Sequence, residues 1–150
     1  MIEQSNDFIN FKYENKILYI QIKKEIPTDS EWTFSKETMI NYYEILKISN
    51  SKISLIFDIR NLGILKKEKC KEWSELLHSR KHITKEKIHK TSIICTNSII
   101  RNMVNMFLVI YKPIRPIKIF KNEELSLNFI NDNKLIEKTN LEIKNSIFEI

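Results

Sequence analysis

Three histidines stand close together in this chain, at His78, His82 and His89. The spacing of the first two would place both imidazoles on one face of a helix, an arrangement that can bind a divalent metal ion. The intervening segment, residues 79–81, adds positive charge, which opposes a bound cation. We therefore expect a solvated helix face here, with no metal site and no other cofactor.

Asp58 and Arg60 follow the apolar run 53–57, at the point where a strand is expected to end. Side chains two residues apart on a strand lie on the same face, so we expect an ion pair that closes the loop. A carboxylate in this position could also act as a general base. Because no nucleophile and no second carboxylate stands near it in the sequence, we predict no catalytic residue and no enzyme.

Asn97 and Ser98 stand between an apolar run and a helical pattern, where such residues cap the free amides of a first helical turn. Arg101 follows one turn later. The simplest interpretation of the two polar residues is helix capping. The alternative is that the same amides and the guanidinium of Arg101 bind an anion.

Large apolar residues recur in the predicted helices, and core packing is their first interpretation. The flexible side chain of Met103, with its neighbours Met106 and Phe107, could instead form an adaptable apolar surface for a partner. An apolar space between helices and sheet could also hold a ligand. The candidates for such a surface or space are Trp32, Trp73, Met103 and Phe107.

The composition is that of a single globular domain, with 150 residues of which 42% are apolar and 29% charged. The net charge is +6, but residues 66–90 alone contribute +5, from nine basic and four acidic side chains. The aromatic residues do not alternate with lysines, so we expect no nucleic-acid partner.

Two unpaired cysteines and a polar N-terminus indicate the cytoplasm. No apolar run approaches the roughly 20 residues of a membrane span, so we expect no membrane insertion.

Hydrophobic periodicity and turn residues divide the chain into alternating strands and helices. The predicted strands cover residues 8–13, 17–22, 53–58, 91–96 and 117–120. The predicted helices run from 27–30 to 49–51, over 66–80, from 97 to 111 and from 122 to 130. The tail, residues 133–150, fits neither period clearly.

This order predicts an α/β domain with a mixed sheet, in which an N-terminal antiparallel hairpin precedes parallel strands and about four helices flank the sheet. Because the carboxyl ends of parallel strands share one edge, we expect a single polar rim there that binds a partner or an anion. Its members are Asp58, Arg60, Asn61, Asn97, Ser98 and Arg101.

Two segments of the chain resemble a known family. Residues 90–113, KTSIICTNSIIRNMVNMFLVIYKP, and residues 116–125, PIKIFKNEEL, are similar to the C-terminal half of STAS-like proteins, which include the anti-sigma-factor antagonists of bacterial sporulation. Residues 53–62 are similar to the strand and loop before the second helix of uncharacterised bacterial members. The likeness covers residues 15–131. We therefore predict a STAS-like domain over residues 1–131, with an extension over 132–150 that packs on the domain or on a second subunit.

The resemblance does not include the family's phosphorylation switch. That switch is a Ser or Thr at the start of the helix after the third strand. This chain has residues 64–69, ILKKEK, in the corresponding place, without a hydroxyl group. The resemblance therefore implies a small partner-binding module in which the usual phosphorylatable residue is absent.

Two functional hypotheses follow. The first is a non-enzymatic, cytoplasmic regulatory module that binds a protein partner through loops 58–63 and 97–101, or pairs with a second copy of itself. The second is a carrier of a small molecule or lipid, held in an apolar space between the helices and the sheet.

Overall fold

The computed structural model describes residues 2–132, which form six strands and five helices. The strands are β1 (Ile2–Ser5), β2 (Ile9–Glu14), β3 (Ile17–Ile22), β4 (Ile53–Asp58), β5 (Ile88–Ile94) and β6 (Ile117–Phe120). The helices are α1 (Asp29–Ile48), α2 (Lys67–His78), α3 (Lys81–Lys87), α4 (Ser98–Tyr111) and α5 (Glu123–Asn131). The predicted C-terminal extension lies outside the described residues from 133 onward.

The six strands form one sheet whose spatial order, β1 to β6, is also their order in the chain. The first three strands pair antiparallel, and β3 through β6 pair parallel. The predicted mixed α/β sheet is therefore confirmed. The antiparallel part of the sheet has one strand more than predicted. This strand, β1, pairs with the outer edge of β2, and all four of its residues remain exposed.

The hairpin between β2 and β3 turns through two residues, Asn15 and Lys16, whose φ angles are 54° and 62°. Two successive positive φ angles define the type I′ turn, whose twist matches that of the two strands it joins. The turn fixes the register in which Phe11 lies opposite Ile20, and both side chains reach the core.

Side-chain caps begin α1, α4 and α5 at positions that the sequence indicates. The side chain of Thr28 accepts a hydrogen bond from the amide of Glu31, whose carboxylate in turn accepts one from the amide of Thr28. Asn97 and Asn122 cap α4 and α5 in the same way through their side-chain oxygens. Each cap satisfies amides that have no partner inside the helix.

The helices cover the two faces of the sheet unequally. From β3 to β6, each new parallel strand is placed on the same side of the one before it. Because the connections between parallel strands are all right-handed, the connecting helices lie on one face of the sheet. There, side chains of α1 to α4 and alternate strand residues form the main hydrophobic core. Helix α5 lies on the other face, where Phe129 and Ile130 pack on Ile56 and Ile94 in a smaller cluster.

Two boundaries between residues 78 and 91 differ from the prediction. Helix α2 ends at His78 and a separate helix, α3, begins at Lys81, so the expectation that His78 and His82 share one helix face is wrong. Strand β5 begins at Ile88 rather than at residue 91. The reason is that Ile88 pairs with Ile53 of β4 beyond a register shift, while the polar residues His89 and Lys90 interrupt the apolar pattern that identifies a strand in the sequence.

Candidate functional site

The ion pair expected after β4 is present. Asp58 is 3% exposed, and Arg60 donates to both of its carboxylate oxygens, from Nε at 2.9 Å and from Nη2 at 2.7 Å. These hydrogen bonds to Asp58 raise the pKa of Arg60 above its usual value. The bidentate geometry fixes the start of the loop, because the Arg60 backbone amide also donates to Asp58 Oδ1 at 3.2 Å.

The pair lines a polar depression of about 510 Å³ on the face of the sheet that α5 only partly covers. Tyr19 and Glu123 line it as well, and the Tyr19 hydroxyl donates to Glu123 Oε1 at 3.1 Å. Burial, followed by the neighbouring Glu123 carboxylate, raises the pKa of Tyr19, so the phenol keeps its proton. Asn10 also lines the depression, and its Oδ1 is buried without a hydrogen-bond partner among residues 2–132.

The depression brings together groups that sequence reasoning did not connect. No second carboxylate stands near Asp58 in the sequence, but Glu123 lies in the same depression. Tyr19 and Glu123 are 104 residues apart, and only the packing of α5 on the sheet makes them neighbours. A protonated phenol and a paired guanidinium are hydrogen-bond donors rather than bases or nucleophiles. The depression is therefore suited to binding polar groups.

The second part of the predicted rim lies at the start of α4. Asn97 Oδ1 accepts from the amides of Ile99 at 2.8 Å and Ile100 at 3.2 Å, which confirms its capping role. Ser98 is exposed, and Arg101 is half-buried. The capped amides are already satisfied, which reduces the capacity of this helix start to bind an anion.

The two parts of the rim, at Asp58 and at Asn97, lie at the same edge of the sheet but on different faces of it. Asp58 lies opposite Ile94 in adjacent strands, so Asn97 begins its helix at the same carboxyl edge. The side chains of Asp58 and Arg60 lie in the depression beside α5, whereas α4 packs into the core on the other face. Asn61 turns back to β3, where its side-chain amide donates to the Ile22 carbonyl at 3.4 Å.

Helix α4 exposes a stripe of apolar side chains to solvent. Arg101 is its only charged residue. One side of the helix is buried in the core through Ile100, Val104, Leu108 and Tyr111. The opposite side carries Ile99, Met106, Val109 and Ile110, which are 61%, 70%, 45% and 70% exposed. We call these four residues the α4 face.

All four apolar candidates from the sequence, Trp32, Trp73, Met103 and Phe107, line one cavity between the sheet and the helices α1, α2 and α4. Its volume is about 150 Å³. Protein interiors ordinarily contain few voids larger than a water molecule, so this one is a candidate binding site.

Trp32 is held in the cavity wall by hydrogen bonding. Its indole Nε1 donates to Glu72 Oε2 at 3.0 Å, and Lys36 donates to Glu72 Oε1 at 3.1 Å. Its ring lies 5.7 Å from that of Trp73, centroid to centroid. Glu72 therefore joins α1 to α2 across one side of the cavity.

Replacing Glu72 is expected to change how stability depends on pH. The hydrogen bonds from Lys36 and then Trp32 lower the pKa of Glu72 from its ordinary value of 4.5. A lowered pKa in the folded state contributes stability above about pH 4.5, which is lost as the pH falls through the lowered value. We expect Glu72→Gln to weaken this acid-dependent loss, measured as the urea midpoint between about pH 7 and pH 3. Glu75→Gln, at an exposed position of α2, is the control, and identical profiles for wild type and Glu72→Gln would contradict the expectation.

Lys90 is a buried residue whose role the sequence did not reveal. It is 0% exposed, and its ammonium group donates to the carbonyls of Phe129 and Asp132 at the end of α5. The same ammonium lies 4.9 Å from the centroid of the Phe129 ring. A lysine within an apolar strand was the available signal, because a buried lysine needs acceptors nearby. Lys90 therefore secures α5 beside the polar depression.

The three histidines do not form part of a metal-binding cluster among the described residues. Within residues 2–132, no group of three or more His, Cys, Asp or Glu side chains is placed to hold a metal ion. Burial, with the nearby charge of Lys90, lowers the pKa of His89, which favours its neutral form.

The comparison with solved structures defines the class of fold. The chain is similar to an uncharacterised protein of the DUF3478 family from Shewanella loihica PV-4, whose crystal structure has a SpoIIAA-like fold. The TM-score is 0.56 at 13% sequence identity, and the alignment covers 81% of this chain and 91% of that one. The fold is therefore SpoIIAA-like, that is, STAS-like, as the resemblance in the sequence predicted.

The chain belongs to the family described as a domain of unknown function, DUF7793, whose sequence profile matches residues 11–134. No curated protein matches it significantly. Among the helices of residues 2–132, none combines the length and the apolar character needed to cross a bilayer.

Proposed function

We propose that this protein is a non-enzymatic regulatory module that binds another protein through the α4 face. The observation that carries the proposal is the exposure of four large apolar side chains on a single helix. Contiguous exposed apolar surface of this kind is characteristic of interaction sites. The exposed residues Asn97 and Ser98 begin the same helix, so the surface adjoins one of the two loops expected to contact a partner.

The chemistry of the surface indicates the kind of partner. Within α4 the only charged residue is Arg101, which is half-buried, and Lys112 follows the helix at an exposed position. An apolar stripe on one helix is complementary to the apolar side of an amphipathic segment of the partner. In this proposal the protein acts in the cytoplasm, where the free thiols of Cys70 and Cys95 remain reduced.

Truncating two members of the α4 face is expected to abolish capture of the partner. Burial of one large apolar side chain contributes about 1.5–3 kcal/mol, so each truncation should weaken binding by about tenfold or more. Met106→Ser/Ile110→Ser removes two of these side chains and leaves the buried side of α4 unchanged. Because both positions are exposed, the free energy of unfolding should change by less than about 1 kcal/mol in total.

The matched control is Ile45→Ser/Ile48→Ser on α1, where the isoleucines are 61% and 84% exposed. Each variant and the wild type are cross-linked in extract of the native cells, and bound proteins are quantified by mass spectrometry. We expect one protein that wild type and the α1 control capture in equal amounts and that the α4 variant does not capture. Equal capture by all three proteins, or capture of nothing, would refute the proposal. Self-association that the α4 variant loses, measured by light scattering, would identify a second copy as the partner.

The second hypothesis, a carrier of a small molecule or lipid, is supported by the apolar cavity. The cavity volume of about 150 Å³ is that of a site for one benzene-sized molecule. A complete lipid acyl chain is much larger than this, so the geometry favours a small molecule over a lipid.

A further inference from the structure

The apolar cavity has a closed floor and a more accessible mouth. Its floor includes Ile20 of β3 and Ile93 of β5, which are 1% and 8% exposed. The mouth is formed by half-buried side chains from the loop after β4 and from α2 and α4. These are Leu62, Leu65, Trp73, Met103 and Phe107. A molecule could therefore enter between α2 and α4 without unfolding the sheet.

The cavity wall provides no charged group and few free polar atoms. No Asp, Glu, Lys, Arg or His lines it within the described part of the chain. The hydroxyl of Ser35 donates to the Glu31 carbonyl at 2.8 Å, and the indole of Trp32 donates to Glu72. An occupant therefore gains little from polar groups and is recognised by shape and by removal of its apolar surface from water.

We infer that this cavity is a binding site for a compact apolar molecule, with one aromatic ring or an alkyl group of about six carbon atoms. An engineered apolar cavity of about 150 Å³ in another protein stays dry and binds benzene, which sets the size of the occupant. Offset or edge-to-face contact with the rings of Trp32, Trp73 and Phe107 favours an aromatic ring. The site is independent of the α4 face, so either proposal can fail without the other.

Three residues of the wall report occupancy directly. Trp32 and Trp73 are the only tryptophans of the chain, so intrinsic tryptophan fluorescence arises entirely from the cavity wall. The half-buried thiol of Cys70 lies in the wall and can be labelled with a thiol reagent. The other cysteine, Cys95, is buried and does not line the cavity, so its labelling reports on opening of the fold rather than on access to the cavity.

The test is a titration of the full-length protein with benzene, with benzoate as a charged molecule of similar shape. We expect benzene to change the tryptophan fluorescence and to raise the Tm. At roughly ten times its dissociation constant it should slow labelling of Cys70 about tenfold, because only the unoccupied fraction reacts. Cys95 is buried and reacts only when the fold opens, so its labelling should be much slower than that of Cys70 with or without benzene. Benzoate should have none of the effects of benzene.

A variant that fills the cavity distinguishes the site from nonspecific association with benzene. Val104→Phe adds a ring to the lining, whereas Val109→Phe adds the same ring to the exposed side of the same helix. We expect the first to lose the response to benzene and the second to keep it. If Val104→Phe does not fold, Met103→Trp at the mouth replaces it. No response of wild type up to the solubility of benzene, or an unchanged response in the filled variant, would overturn the inference.

Discussion

Replacing Lys90 with Met is expected to destabilise the domain by about 2–4 kcal/mol, since it removes two hydrogen bonds from a charged donor, each of which contributes about 1.5–3 kcal/mol. The two carbonyls concerned are those of Phe129 and Asp132, and the contact with the Phe129 ring is lost as well. Burial opposes this stabilisation, because it lowers the pKa of Lys90 and disfavours the charged ammonium. Replacement by Met also removes the cost of burying the ammonium. We expect the loss of hydrogen bonds to be larger than this gain, since the ammonium has two carbonyl partners.

Urea unfolding followed by circular dichroism measures this effect, and amide hydrogen exchange over residues 123–131 shows whether α5 opens first. Met keeps most of the apolar stem of Lys90, so the comparison isolates the ammonium. Lys85→Met, at an exposed position of α3, is the control and should change stability by less than about 0.5 kcal/mol. If the Lys90 variant were as stable as wild type with unchanged exchange in α5, the proposed role of the ammonium would be wrong.

The second large effect is expected at the Asp58–Arg60 pair. Arg60→Met leaves a nearly buried carboxylate without its bidentate partner, which costs about 3–5 kcal/mol in fully buried pairs. The side chain of Arg60 is 40% exposed, so solvent can reach the site and we expect about 2 kcal/mol. The change should also disorder the start of the loop after β4, because Asp58 orients it through two groups of Arg60.

A double-mutant cycle separates the pair from its surroundings. Asp58→Asn removes the buried charge, so adding it to Arg60→Met should restore stability relative to Arg60→Met alone. The free energies of unfolding of wild type, both single variants and the double variant give the coupling energy. Additive effects of the two substitutions, within about 0.5 kcal/mol, would show that the ion pair makes no specific contribution.

Much of the fold could be predicted because its signals are local. Turn residues between two β-rich runs identified the hairpin, and cap residues at Thr28, Asn97 and Asn122 identified three helix starts. Strand β1 gave no such signal, since its four residues are exposed and it depends on pairing with β2. Helix α3 has only seven residues, too few to establish a clear period.

The candidate sites follow the same division. Asp58 and Arg60 are two residues apart, so the sequence predicted their ion pair and the structure confirms it. The polar depression needs Tyr19 from β3 and Glu123 from α5, and no pattern in the chain relates them. The prediction of one rim was incomplete, since the edge is shared but Asp58 and α4 belong to different faces of the sheet.

By itself, the sequence determined the type and order of most elements and the mixed sheet, and its resemblance to a known family indicated the STAS-like class of fold. The type and order of the elements depend on short-range periodicity and capping, which any segment carries in its own residues. Only the tertiary structure decided that α4 keeps an apolar side in solvent, that Lys90 is buried beneath α5, and that the four apolar candidates line one cavity. Exposure, burial and cavity volume are set by how distant segments fit against one another, and no local pattern encodes that fit.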